Sequence, residues 1–235
     1  MHSLIAACKY LTIWGRLNAI QPAPEMIGSG AVYFPLIGFL LGLLLALLNY
    51  GLGLYLDSEI LTIFLVAVLL AASGGTHLNG VKKTFAGFAP DPGRAIHSND
   101  QFFGYIAVLF VILFKISSVD VLGEKIALSL LLTPVFARWA LVLCIYGYHD
   151  RCEETARRIA ENVRFWHVLL TTVATLGAAV YLLGRKGLWI GLSVSVLALL
   201  ARGWLHRRHA ALTQDNFGAV IELGETLSLL LLASL

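Results

Sequence analysis

Two stretches of this chain hold side chains able to do chemistry beside long apolar runs. The first is the polar island His77-Leu78-Asn79-Gly80-Val81-Lys82-Lys83-Thr84-Phe85-Ala86-Gly87. The second is Gln214-Asp215-Asn216-Phe217-Gly218-Ala219-Val220-Ile221-Glu222-Leu223-Gly224-Glu225. In the second, Asp215, Gly218, Glu222 and Glu225 recur at steps of three and four, so a helix would put them on one face. Carboxylates grouped in this way accept protons or hold hard cations such as Mg²⁺, which favour oxygen ligands and leave waters for phosphate. Lysine ammonium groups serve instead as point charges for phosphate. His77 alone reads as a hydrogen-bonded structural residue; beside Asn79 and two lysines it becomes a site candidate. Two further ionisable residues, Lys115 and Arg138, fall inside apolar runs, where charge is costly without a partner or a wet cavity. They are the natural counter-charges to the acidic face, with structural ion pairing between helices as the bland alternative to a metal.

The elements that would position these groups are membrane spans. The chain has 235 residues, of which 58% are hydrophobic and 13% charged, against about 25% charged in a soluble domain. Mean hydropathy is +0.80. Apolar runs long enough to cross ~30 Å of hydrocarbon as helices recur along the sequence. They predict spans near 32–56, 59–75, 103–119, 126–147, 166–183, 187–204 and 217–234. The fold class expected is therefore all-α, a polytopic integral membrane helix bundle of about seven spans. Residues 1–235 would form a single membrane-embedded domain, with 1–30 as an interfacial N-terminal segment and 76–102 as a cytoplasmic loop resembling an active site. Lys9 interrupts the only apolar core near the start, and no small-residue cleavage site follows. Leu4–Trp14 therefore reads as a helix lying in the interface rather than a signal peptide. Cys8, Cys144 and Cys152 have neither metal spacing nor a disulfide pattern.

Charge placement orients the bundle. With the N-terminus inside, Lys9, Arg16, Lys82, Lys83, Arg94, Arg151, Arg157, Arg158, Arg164, Arg207 and Arg208 face the cytoplasm. Only Lys125, Arg185 and Lys186 fall outside, together with the acidic turns at 57–59 and 120–124. That bias predicts an inside N-terminus and an outside C-terminus. The net charge of +3 then reflects loops facing anionic lipid, and no nucleic-acid partner is implied. Polar sequence gathers in the long inner connections 76–102, 148–165 and 205–216. Pro35 and Gly38 would kink the first span or admit a close neighbour. Gly38 and Gly42 form a small-xxx-small pair, and Gly74 and Gly75 end the second span. The stretch after Tyr148 reads as a short amphipathic helix with Glu153–Arg157 or Glu154–Arg158 pairs. It is either a solvated helix touching phospholipid or a source of an arginine for a substrate anion.

These residues resemble a known family. Phe34-Pro35-Leu36-Ile37-Gly38, His77-Leu78-Asn79-Gly80, Asp100 before Phe103-Gly104, and Asp215-Asn216-Phe217-Gly218-Ala219 with Glu222-Leu223 follow the order and spacing of the cobalamin synthases. These are the adenosylcobinamide-GDP ribazoletransferases, also called cobalamin-5′-phosphate synthases. The resemblance covers nearly the whole chain, and its C-terminal motif is the most specific part. It implies an integral membrane enzyme of cobalamin biosynthesis, in a bacterial or archaeal cell (inner) membrane, with its loops facing the cytoplasm. It implies transfer of the adenosylcobinamide phosphoryl moiety from adenosylcobinamide-GDP to α-ribazole or α-ribazole 5′-phosphate, with release of GMP and use of Mg²⁺. Residue by residue, it and the intramembrane charges point to His77, Asn79, Lys83 and Arg138 for catalysis. They point to Gly80, Lys82, Gly87, Lys115 and Gly218 for substrate binding, and to Asp100, Asp215 and Glu222 for metal.

The island departs from the family's pattern, which resembles H-L-D-G-x-x-D-x-x-D-G. Asn79, Lys83 and Ala86 stand where that pattern has acids, while His77, Gly80 and Gly87 are kept. Asn79 can ligate through its amide oxygen but brings no charge, and a protonated lysine cannot ligate at all. The departure leaves a second reading, a non-catalytic relative acting as a corrinoid-binding or scaffold subunit. A transporter is the third, and no inverted repeat or broken-helix pair in the sequence supports it. The expected partners are the lipid bilayer, the two small-molecule substrates, and either a second copy of the chain or other cobalamin-pathway proteins.

Overall fold

A computed structural model describes residues 2–17, 21–86, 98–148, 152–208 and 211–235, with all their side chains except those of Arg16, Ser98, Asn99, Asp100 and Arg208. In chain order the helices are α1 (His2–Leu11), α2 (Trp14–Leu17), α3 (Pro24–Ser29), α4 (Phe34–Leu52), α5 (Ser58–Ala72) and α6 (Thr76–Ala86). Then follow α7 (Ser98–Asp120), α8 (Ile126–Ile145), α9 (Glu154–Glu161), α10 (Phe165–Leu183), α11 (Arg185–Arg208) and α12 (Gln214–Ser234). Six of the apolar segments, containing α4, α7, α8, α10, α11 and α12, are each long and apolar enough to cross a bilayer. The chain is a polytopic helical membrane bundle, as the hydropathy pattern predicts.

The seventh expected span, 59–75, takes a different form. Helix α5 has 15 residues, about 22 Å at the α-helical rise, and is short for a full crossing. Gly74 and Gly75 follow with φ of 61° and 72°, a left-handed conformation that glycine adopts without a Cβ clash. The chain turns by 82° there and continues as α6. The polar island was expected to be a loop; residues 76–86 are helical instead. Period explains this: His77, Gly80, Val81 and Thr84 are buried while Thr76, Asn79 and Lys83 are exposed. That is a helical stripe, which the polar composition hid.

Two helices form the bundle's axis. Within their apolar windows, 83% of α8 and 67% of α12 are buried, against 17–44% in the other spans. Around them lie α4, α5, α7, α10 and α11, whose outward Leu40, Leu47, Val173, Trp189 and Leu200 are exposed. Apolar side chains in such number on the outer face suit hydrocarbon as solvent. Gly38 and Gly42 of α4 lie against α8. A Cβ at Gly38 would strike the Pro134 carbonyl of α8, and one at Gly42 the carbonyls of Leu130 and Leu131. The pair is a helix-packing motif in which backbones approach closely. Pro35 lies in the first turn of α4, where its missing N–H costs nothing.

One end of the bundle is closed by short helices. Helix α1 buries Ala6, Ala7 and Leu11, and the Ile13 N–H donates to the Ala72 carbonyl at 2.6 Å, tying this segment to the end of α5. Helix α9 is amphipathic, as expected: Ala156, Ile159 and Ala160 are buried. Its partner is α3, an element with no clear sequence signal, whose Gly28 lies against Ile159 and Asn162. On its polar face Arg158 bonds Glu154 at 3.1 Å and Glu25 of α3 at 3.2 Å. Arg157 bonds Glu154 at 3.3 Å and Glu161 at 3.7 Å. The Glu153 N–H donates to the Leu212 carbonyl at 2.8 Å, which brings this cap to the start of α12.

Candidate active site

The two chemistry-bearing stretches meet at that capped end. Helices α6 and α12 touch through a reciprocal pair of glycines. A Cβ on Gly80 would strike the Asp215 carbonyl, and one on Gly218 would sit 3.0 Å from the Cα of His77. Only glycine permits backbones this close. A side-chain lock fixes the same register. Asn216 accepts the Thr213 N–H at 2.9 Å, capping α12, and donates through its amide to Thr84 Oγ1 of α6 at 2.9 Å. Neither Asn216 nor Thr84 is among the site residues that the sequence suggests. The signal was present in Thr213-x-x-Asn216, a capping-box spacing with asparagine in place of Glu or Gln.

This junction opens into a cavity of about 190 Å³. Its inner wall holds Thr76 and His77 from the first turn of α6, and Gln214, Asp215 and Gly218 from α12. The opposite wall is Lys9, Tyr10 and Thr12, with Gln21 beyond. Sites that enclose a whole small ligand run to roughly 300–1,000 Å³, so this cavity fits a phosphoryl-sized part of a larger molecule. Two helix N-termini face it, an arrangement that favours anions. Tyr10 packs on Phe34 with ring centroids 6.2 Å apart. Burial and, second, the charge of Asp215 raise the pKa of its phenol, so Tyr10 stays a neutral donor at the cavity wall.

Lys83 and Lys82, adjacent in sequence, diverge. The Lys83 ammonium lies 2.7 Å from Asp215 Oδ2, with the lysine side chain 57% and the aspartate side chain 33% exposed. Lys82 points to the other side of α6, its ammonium 4.5 Å from the ring centroid of Tyr105 on α7. It is not a cavity residue. Asn79 shares the exposed face of Lys83, one turn earlier.

Three of the expected site residues lie deeper, in a closed cluster. Lys115 of α7 reaches Glu222 and Glu225 of α12, each at 2.5 Å, and Arg138 of α8 bonds Glu225. All four side chains are essentially inaccessible. Two cations and two anions sum to zero, which suits an apolar interior. Lys115, Arg138 and Glu222 therefore join three helices and do not line the cavity. Along α12, Glu222 stands two turns beyond Asp215, about 10 Å, so the two do not share an ion. His77 is buried between these regions, with its imidazole in the field of Arg138, Glu225 and Lys115. Gly87 lies outside the described residues, as does the side chain of Asp100.

The expected Mg²⁺ can be tested against this donor set. Mg²⁺ demands near-octahedral oxygen ligation, usually with carboxylates. Asp215 is the one acid lining the cavity among the described residues, and a lysine occupies its outer oxygen. Among the described residues no three His, Cys, Asp or Glu side chains converge as ligands. The described residues do not fit a magnesium site.

The family described as cobalamin-5-phosphate synthase matches residues 3–233. The chain belongs to that family. It is 29% identical to the adenosylcobinamide-GDP ribazoletransferase of Geotalea daltonii, over 92% of this chain and 94% of that one. It is 32% identical to the protein of the same name from Pseudomonas fluorescens, over 89% and 90% of the two chains. The Clostridium tetani protein, again so named, is 27% identical over 100% of this chain and 97% of its own. No solved structure matches. The matched region includes all of α6 and α12 up to residue 233.

Proposed function

We propose that this protein is an adenosylcobinamide-GDP ribazoletransferase of cobalamin biosynthesis, working at the cytoplasmic face of a bacterial or archaeal cell membrane. The observation that carries the reading is that the family match spans the chain and its two motif stretches build one anion-sized cavity. The donor is adenosylcobinamide-GDP. The acceptor is α-ribazole or its 5′-phosphate. The acceptor's hydroxyl oxygen bonds to the cobinamide-side phosphorus, the P–O bond to GMP breaks, and GMP leaves.

This chain's residues serve that displacement by position and charge, the main levers in phosphoryl transfer. Asp215 Oδ atoms face the cavity and take the proton of the attacking hydroxyl. The first-turn amides of α6 and α12, with Lys83 and Lys9, favour the phosphoryl oxygens. Tyr10 donates to the same anion. Gly80 and Gly218 hold the two helices close enough for His77 and Asp215 to share one cavity. The bulk of the corrinoid stays outside, because about 190 Å³ admits only the reacting end. The basic loops set the orientation, since cytoplasmic connections carry the excess of Lys and Arg.

The purified protein in liposomes is given adenosylcobinamide-GDP with either acceptor, and GMP release and corrinoid product are measured. Turnover with one acceptor is expected. A family enzyme active alongside, with no product from this chain, would reject the reading in favour of a corrinoid-binding subunit.

A further inference from the structure

We propose that Lys83 is the resident cation of the cavity mouth, so that phosphoryl anions bind there without a divalent metal. The proposal rests on the transferase reading for its ligand class, phosphate monoesters and diphosphates.

Geometry selects the residue. Successive helical positions differ by about 100°, and α6 uses that difference to send Lys82 toward Tyr105 and Lys83 toward Asp215. Lys83, Asn79 and Thr76 form one exposed stripe that runs along α6 to the cavity. Lys83 is thus a cation one contact away from the cavity lining, held on Asp215 with more than half its side chain in solvent.

Charge gives the consequence. An acid at position 83 would put a second carboxylate on the side of α6 that faces Asp215, and neighbouring carboxylates favour a cation between them. A lysine is that cation, attached by its own stem. Among the described residues, the charged groups lining the cavity are Lys9 and Asp215, and Lys83 adds a second cation on Asp215. A phosphoryl anion entering here meets an ammonium that can bridge it to Asp215. Among the described residues, a metal entering meets one carboxylate, already paired with an ammonium. Hard-cation affinity rises with ligand charge count, and among the described residues lining the cavity that count is one carboxylate, paired with a lysine.

The experiment uses the full chain in lipid nanodiscs and reads binding rather than turnover. Mn²⁺ is titrated by electron paramagnetic resonance, and inorganic pyrophosphate by calorimetry, with EDTA and then with Mg²⁺. Wild type should bind Mn²⁺ no tighter than about millimolar, the range of sites poor in charge. Pyrophosphate affinity should change less than about twofold between EDTA and Mg²⁺. Lys83→Gln should weaken it about tenfold, the scale of one lost charge-assisted bond, while Lys83→Arg stays within about threefold. The triple variant Asn79→Asp, Lys83→Asp, Ala86→Asp should gain Mn²⁺ binding. Micromolar Mn²⁺ binding by wild type that is lost in Asp215→Asn overturns the proposal. So does pyrophosphate binding that is absent or requires Mg²⁺. If transfer activity fails while Lys83-dependent, EDTA-resistant binding persists, the transferase reading falls and the cation assignment stands.

Discussion

Lys83–Asp215 at the mouth and Lys115–Glu222–Glu225–Arg138 in the bundle are built from the same chemical groups on the same helix, α12. Their surroundings make them opposites. The inner cluster is closed and neutral, with every side chain inaccessible. The outer pair is 57% and 33% exposed, and its aspartate lines a cavity. A buried charge that loses its partner cannot be rescued by water; an exposed one can. The inner cluster is therefore a joint between α7, α8 and α12, and the outer pair is available for exchange with a ligand. Acidic residues at helical spacing read alike in sequence, yet depth alone divides them between scaffold and chemistry.

The largest effect should come from breaking the inner joint. Lys115→Met leaves Glu222 buried without a cation, at a cost of about 3–5 kcal/mol. The expected result is a sharply lowered melting temperature or no folded protein, measured by thermal unfolding in detergent. Adding Glu222→Gln should recover much of the loss, because Arg138 and Glu225 then balance alone. No recovery in the double variant would mean that neutrality is not what the joint requires.

The mouth should behave in the reverse way. Asp215→Asn removes the proposed proton acceptor and should slow transfer by about 10²–10⁴-fold. The exposed pair contributes only about 0–1 kcal/mol, so melting should barely move. A variant that melts early in proportion to its lost activity would place Asp215 with the scaffold instead. Between these extremes lies the lock that sets the junction. Thr84→Val removes the acceptor for the Asn216 amide and should cost about 1 kcal/mol. Transfer should fall about tenfold as the register of α6 against α12 loosens. A loss of stability with unchanged rate would make the glycine contacts sufficient on their own.

Much of this division was legible before the structure, and some was not. Hydropathy located six spans because lipid demands long apolar helices whatever they pack against. The cost of buried charge correctly paired Lys115 and Arg138 with the acids of α12. It could not tell which acids, because Asp215, Glu222 and Glu225 share a face and differ only in depth. The sequence of α6 reads as a loop because Gly80 and its polar neighbours resemble turn sequence. Its helical period is visible only once Gly80 is recognised as a contact against Asp215 rather than a bend. Lys82 and Lys83 looked equivalent until a helix separated them by about 100°. Tyr10 gave no signal at all, since its place at the cavity depends on how α1 packs against α3 and α4.

The smallest effect tests whether exposure is the deciding variable. Arg158 has as many ionic partners as Lys115, bonding Glu154 and Glu25 at 3.1 and 3.2 Å. If partner number set the stability of a charge cluster, Arg158→Ala would approach Lys115→Met in severity. Arg158, however, is 51% exposed, and its partners are 65% and 44% exposed. Water replaces the lost contacts, and salt screens those that remain. The expected loss is below about 1 kcal/mol, seen as a small melting shift that shrinks further in molar salt. The apolar contacts of Ala156, Ile159 and Ala160 should keep α9 seated on α3 without the arginine. A large, salt-insensitive destabilisation would show that connectivity outweighs depth, and the contrast between the joint and the mouth would then need another cause.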